Sequence, residues 1–184
     1  MNIYDAIEKR RTIRKFKGPA TDDQIQCIIK EGIKAPSPRN MQSWEFIIVD
    51  DTDLIEKIGE IKYIANRGKP RGESVPEELE QACQVQKESF AYAGLILVYH
   101  GLGDAHAAGA WCCIQNMLLA AIAEGLGTKI SYFREGAEDA LNTLMRVPDE
   151  FKLAAAISVG IPAEEPAPRA LQSVESRLHR NRFS

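Results

Sequence analysis

With 184 residues, 45% apolar and 27% charged, the chain has the make-up of a globular domain able to bury about 70% of its unfolded surface, and disorder is not indicated. A formal charge of −3 excludes a general nucleic-acid binder, although local basic clusters can still hold a smaller anion. The first residues carry no signal-peptide core, and no run reaches the roughly 20 apolar residues of a membrane span, so the expectation is a cytoplasmic protein without a membrane partner.

The first helix has Ile3, Ala6 and Ile7 at helical spacing and runs into the basic segment from Lys9 to Lys15. Positive charge at a helix C-terminus is favourable by itself, worth about 0.3–1 kcal/mol. In an extended segment, however, Arg10, Thr12 and Arg14 share a face, and two guanidinium forks with a hydroxyl suit a phosphate. Both readings stand. Gly18, Pro19 and Ala20 predict a turn, and Thr21 with Gln24 a capping box that opens a second helix with Ile25, Ile28, Ile29, Gly32 and Ile33 on its apolar face. Pro36 and Pro38 stop that helix. The loop that follows carries Ser37, Arg39, Asn40 and Gln42, able to hold a flat polar ligand or simply to face water, before a buried strand from Trp44 to Val49.

Asp51 or Thr52 caps a third helix with Leu54, Ile55 and Ile58 inward. From Lys62 to Gly72 the periodicity is lost and charge rises, which predicts a loop, either a cover over a site or a surface excursion. Pro76 opens a weakly amphipathic helix through Leu79, Cys83 and Val85, and Ala93 to Tyr99 reads as a second buried strand. Asp104 is expected to cap the most apolar helix, Ala105 to Glu124, which lies at the centre of the fold or at a subunit interface. Gly125 and Gly127 end it, a third strand runs from Thr128 to Phe133, a loop through Arg134, Glu135 and Gly136 leads to a short helix, and a fourth strand lies between Phe151 and Gly160. Pro162, Pro166 and Pro168 then impose an extended tail that ends in basic residues. Interleaved helices and strands predict one α+β domain over residues 1–184, in three layers, with helices flanking a central sheet that is mostly antiparallel or mixed.

Catalytic classes fall away by absence. The chain has no G-x-S-x-G, H-E-x-x-H, P-loop or G-x-G-x-x-G after a strand, and His100, His106 and His179 lack metal-ligand spacing, so no metal is expected. Cys27, Cys83, Cys112 and Cys113 form no C-x-x-C pair and are expected reduced. Anion-binding arginines at both ends, a polar loop between them and no acid–base machinery point to a reactive group supplied by a cofactor.

The segments Arg10 to Phe16, Ala35 to Phe46, Asn116 to Ala121, Gly125 to Thr128 and Arg180 to Phe183 together resemble the nitroreductase family of FMN-dependent oxidoreductases. The resemblance implies an intertwined homodimer with two FMN sites at its interface and NADH or NADPH as electron donor. It implies that Arg10, Arg11, Thr12 and Arg14 bind the phosphate, ribityl and pyrimidine end, that Pro36, Ser37, Asn40 and Gln42 come from the other subunit, that Arg180 and Arg182 complete the phosphate site, and that backbone at Ile130 and Ser131 lies beside the ring. No catalytic side chain is expected, since the flavin carries the chemistry. The implied activity is ping-pong hydride transfer through flavin N5 to a nitroaromatic, a quinone or a similar small electrophile. Reductive dehalogenation, flavin fragmentation and non-catalytic FMN binding are the alternatives. Thr12 stands where serine is usual in the family, and nothing in Ile61 to Ser89 matches the substrate positions of the deiodinase or flavin-cleaving branches.

Overall fold

A computed structural model describes residues 1–134 and 136–183; Glu135, in the loop expected before the last short helix, lies outside them. Two capping boxes start the chain. Asn2 with Asp5 opens α1 (Ile3–Lys9), and Thr21 with Gln24 opens α2 (Asp22–Gly32) as its sequence predicts. Helix α1 buries only Ala6 and leaves Ile3, Tyr4 and Ile7 exposed. Between the two helices the expected turn is instead a strand, β1 (Phe16–Pro19), because Phe16, Gly18 and Pro19 pair with Pro162, Ile161 and Gly160 near the far end of the chain. A Cβ on Gly160 would run into the Gly18 carbonyl, so glycine is required for that close approach.

Strand β2 (Trp44–Val49) has the expected span but not the expected burial: it is the outer strand next to β3, and only Trp44 and Val49 are buried. Asp51 accepts the Leu54 N–H at 3.0 Å and caps α3 (Thr52–Arg67). The loop expected from Lys62 is helical as far as Arg67, with Gly68 at φ 68° ending it. Its charges point inward. Lys62 donates to the Tyr132 carbonyl, while Arg67 donates to Glu80 of α4 (Glu77–Glu88) and to the Pro70 and Glu73 carbonyls. Charge at Lys62 and Arg67 therefore marked internal hydrogen bonding, whereas Lys69 and Arg71 beyond the helix are exposed as expected of a loop.

Strand β3 (Gly94–Gly101) is buried almost throughout, and α5 (Asp104–Ala123) follows. Gly103, not Asp104, occupies the N-cap of α5, and no side chain caps it. By length and composition α5 could cross a membrane, yet it packs against α1, α2 and the sheet. Gly125, at φ 75°, turns the chain into β4 (Gly127–Ser131), shorter than expected; α6 (Ala137–Met145) and a long β5 (Phe151–Pro162) complete the fold.

All four strand ladders are antiparallel, with β5 pairing β1, β3 and β4, and β3 also pairing β2. Side-chain alternation sends Ile96, Val98, Ile157 and Val159 toward α2 and α5, and Leu95, Leu97, Tyr99 and Ala156 toward the α3 and α6 side. The result is the α+β arrangement of three layers, helices on both faces of one antiparallel sheet.

Candidate functional site

The basic segment after α1 is held by β4. Arg10 leaves the helix in an extended conformation, its N–H still bonded to the Ala6 carbonyl at 3.0 Å. Thr12 then forms an isolated parallel bridge to Thr128, and the Ile13 N–H donates to the Thr128 carbonyl at 2.9 Å. Ile13 is buried against Gly127, where an added Cβ would lie 2.6 Å from Ile13 Cγ1. That close approach fixes the segment along the strand.

Arg10, Arg11, Thr12 and Arg14 line one cavity of about 600 Å³ together with the extended stretch from Glu164 to Arg169. The Glu164 carboxylate accepts the N–H groups of Arg14 and Lys15, the latter at 3.0 Å, so it braces the backbone of the basic segment. Arg169 reaches the Ile7 carbonyl at 3.5 Å. Partial burial disfavours the charge on Arg10, and the neighbouring guanidinium groups of Arg169 and Arg11 add to the effect. None of the ion pairs among the described residues involves Arg10, Arg11, Arg14 or Arg169. Glu164 and Glu165 share the lining but form no ion pair with these guanidinium groups among the described residues, and a concave surface with several such unpaired like charges is chemically complementary to an anion such as a phosphate.

The loop expected to carry polar ligand-binding groups has an unusual backbone. A 3-10 turn spans Pro38–Asn40, and Arg39, Asn40 and Gln42 all have φ near +50°. Such residues are held by their surroundings at a cost of about 1–3 kcal/mol each. Here Ser37 Oγ accepts the Gln42 N–H at 3.0 Å, Gly109 of α5 leaves room for Ser37, and Ser43 shares a hydrogen bond with His106 Nδ1. Asn40 and Gln42 project into solvent.

Neither this loop nor the basic end of the tail lines the arginine cavity. Pro36, Ser37, Asn40 and Gln42 stand apart from its lining, and so do Arg180 and Arg182, both exposed. On β4, Ile130 is partly exposed, whereas Ser131 is buried with no hydrogen-bond partner for its hydroxyl. Thr128 Oγ1 is likewise buried and unpartnered.

Four residues join this region without having been singled out in the sequence. Glu164 and Arg169 come from the proline-rich stretch; the Glu164 carboxylate braces the basic segment from 150 residues away, whereas Arg169 adds another positive charge to it. Lys129 and Lys62 are buried beneath β4. Lys129 donates to Ser89 Oγ and stands 4.5 Å from the centre of the Phe90 ring. Only the alternation of β4 hints at its direction.

The site is thus a cationic segment aligned with β4 in an antiparallel α+β fold. The chain belongs to the nitroreductase family, whose model matches residues 7–161. It is 30% identical to an iodotyrosine deiodinase of Thermotoga neapolitana over 91% of each chain, and 27% identical to an NADPH-flavin oxidoreductase of Vibrio harveyi, covering 99% of this chain and 75% of the relative. The fold matches that of an iodotyrosine deiodinase solved with FMN and 3-iodo-L-tyrosine, at TM-score 0.81 and 24% identity, over 99% of this chain and all of that one.

Proposed function

We propose that the chain is an FMN-dependent NAD(P)H oxidoreductase that works as a homodimer with FMN at the subunit interface. The observation that carries this reading is the cavity in which Arg10, Arg11, Thr12 and Arg14 meet, their guanidinium groups in no ion pair among the described residues although Glu164 and Glu165 share the lining. When bound, FMN would supply the two-electron chemistry, taking a hydride from NADH or NADPH and passing it from N5 to a nitroaromatic, quinone or similar acceptor in alternate half-reactions.

The chain's own residues bind and orient. Guanidinium groups of Arg10 and Arg11 and the Thr12 hydroxyl suit the phosphate and ribityl end, each charge-assisted hydrogen bond contributing about 1.5–3 kcal/mol. Arg14 suits the pyrimidine carbonyl, where a fixed positive charge favours accumulation of negative charge on the ring. The backbone of Ile130 and Ser131, held by pairing with Ile157 and Ala156, would flank the ring.

As the family resemblance implies, Pro36, Ser37, Asn40 and Gln42 would belong to the site of the second subunit and Arg180 and Arg182 would complete its phosphate end; their absence from the cavity of their own chain is compatible with that. Exposed Ile3, Tyr4 and Ile7 on α1, Trp111 on α5, and Leu171, Val174, Leu178 and Phe183 in the tail support that dimer. An apolar cavity of about 600 Å³ where Ile3, Ala6, Leu119 and Ala120 meet supports it as well.

The test is the visible spectrum of the FMN-loaded protein before and after anaerobic NADH. A flavin spectrum that bleaches supports the reading, and failure to take up FMN overturns it. Reductive dehalogenation is favoured as a second reading by the 30% identity to a deiodinase. Iodide release from 3-iodo-L-tyrosine by the reduced protein, in preference to turnover of nitroaromatics and quinones, would establish it.

A further inference from the structure

Beneath β4 lies a polar enclave that no step above uses. Lys129 and Ser131 point to one face of β4, and Ser158 stands directly across from Lys129 on β5. All three residues are buried; Ser131 Oγ and Ser158 Oγ have no hydrogen-bond partner among the described residues. Lys129 reaches Ser89 Oγ and, at 3.5 Å, the Gln86 carbonyl beyond it, with the Phe90 ring alongside. Lys62 of α3 enters the same region, donating to the Tyr132 carbonyl and lying 5.0 Å from the centre of the Phe133 ring.

Among the described residues, the charges that act on Lys129 are positive: Lys62 from α3 and Arg14 from the basic segment; Arg134 acts in turn on Lys62. The groups bonded to the two amines are a hydroxyl and backbone carbonyls, and neither lysine has a carboxylate partner among the described residues. Burial, with the charges of Lys62 and Arg14 acting in the same sense, lowers the pKa of Lys129 to about 8. An uncompensated buried amine is unfavourable as a cation, and it becomes favourable when negative charge arrives nearby.

We propose that, in alkaline solution where its amine is neutral, Lys129 takes up a proton from solvent when the FMN ring beside Arg14 is reduced, and that at lower pH its standing ammonium charge raises the flavin's redox potential. The inference rests on the FMN reading. The balance is simple. Reduction brings two electrons and one proton to the ring as a hydride equivalent, leaving one added negative charge; a second proton converts the Lys129 amine to ammonium. No bond to the ring is formed by Lys129, which makes it a positioning residue for charge and not a catalytic one.

The test is spectroelectrochemical titration of the FMN-loaded wild type, Lys129→Met and Lys129→Arg between pH 6 and 10. Below about pH 8 the wild-type amine is already protonated, so reduction takes up no extra proton there. Above it, the wild-type midpoint should fall more steeply with pH, by about 30 mV per unit, equivalent to a tenfold change in equilibrium constant for a two-electron couple. Lys129→Met should lose that steepening and lower the midpoint at pH 7 by a similar amount. Lys129→Arg should keep the higher midpoint and lose the steepening, because its charge does not titrate. Proton uptake during photoreduction of the wild type, read with an indicator dye in weak buffer, gives the same answer if the variants do not fold. An unchanged slope and midpoint in Lys129→Met, or no extra proton above pH 8 in the wild type, overturns the proposal while leaving FMN binding intact. A wild type that takes up no FMN overturns the underlying reading, and this proposal with it.

Discussion

Replacing Arg10 with alanine separates a ligand-binding charge from a structural one. The Arg10 contact to α1 is made by its backbone N–H, which alanine retains, and its side chain takes part in no ion pair among the described residues. Loss of the guanidinium also relieves repulsion by Arg11 and Arg169. Thermal stability without cofactor should therefore change by no more than about 0.5 kcal/mol, the usual range for a surface substitution. A charge-assisted hydrogen bond to phosphate contributes about 1.5–3 kcal/mol, so FMN affinity should drop roughly 10- to 150-fold. At a fixed excess of FMN, a 100-fold weaker complex forfeits about 2.7 kcal/mol of ligand-induced stabilisation. For a chain of this size that is about 5–11 °C of the FMN-dependent rise in Tm. Differential scanning fluorimetry with and without FMN, paired with fluorescence titration, reads both quantities. Equal losses of Tm in the two states, or unchanged FMN affinity, would refute the assignment of Arg10 to the phosphate.

Gly127→Ala should destabilise the fold by about 1–3 kcal/mol in urea unfolding, because its Cβ would press on Ile13 and push the basic segment off β4; a neutral result would mean that the segment is not held by this packing. Glu164→Ala removes the acceptor for two backbone N–H groups and should cost about 1–2 kcal/mol while weakening FMN binding, and Glu164→Gln should recover most of the stability. Hydrogen bonds from Tyr63 and Arg67 hold the Glu80 carboxyl below its ordinary value, so it binds its proton less readily when folded than when unfolded. Its contribution to joining α3 and α4 is therefore full above about pH 4.5 and lost as pH falls through the lowered native value. Stability measured from pH 6 to pH 2 should fall more steeply in the wild type than in Glu80→Gln, and parallel curves would contradict this.

What the sequence settled by itself is what depends on neighbours in the chain. The Thr21–Gln24 capping box, the stop at Pro36, the span from Trp44 to Val49 and the Asp51 cap are written within a few residues of where they act, and they fold as written. The basic segment that lines the cavity is legible as a local cluster of charge, but Arg11 lines it beside Arg10, Thr12 and Arg14, so strict alternation of an extended segment does not account for the lining. Long-range pairing decided the rest. Phe16–Pro19 is a strand only because Gly160–Pro162 runs beside it, and Lys62 and Arg67 remain helical and buried because Tyr132 and Glu80 wait across the fold. Glu164 and Arg169 reach the cavity, and Lys129 finds Ser89 below the sheet, through backbone paths that no local pattern records. A charged residue looks the same in sequence whether it faces water or a buried oxygen, and only the tertiary structure supplies the oxygen.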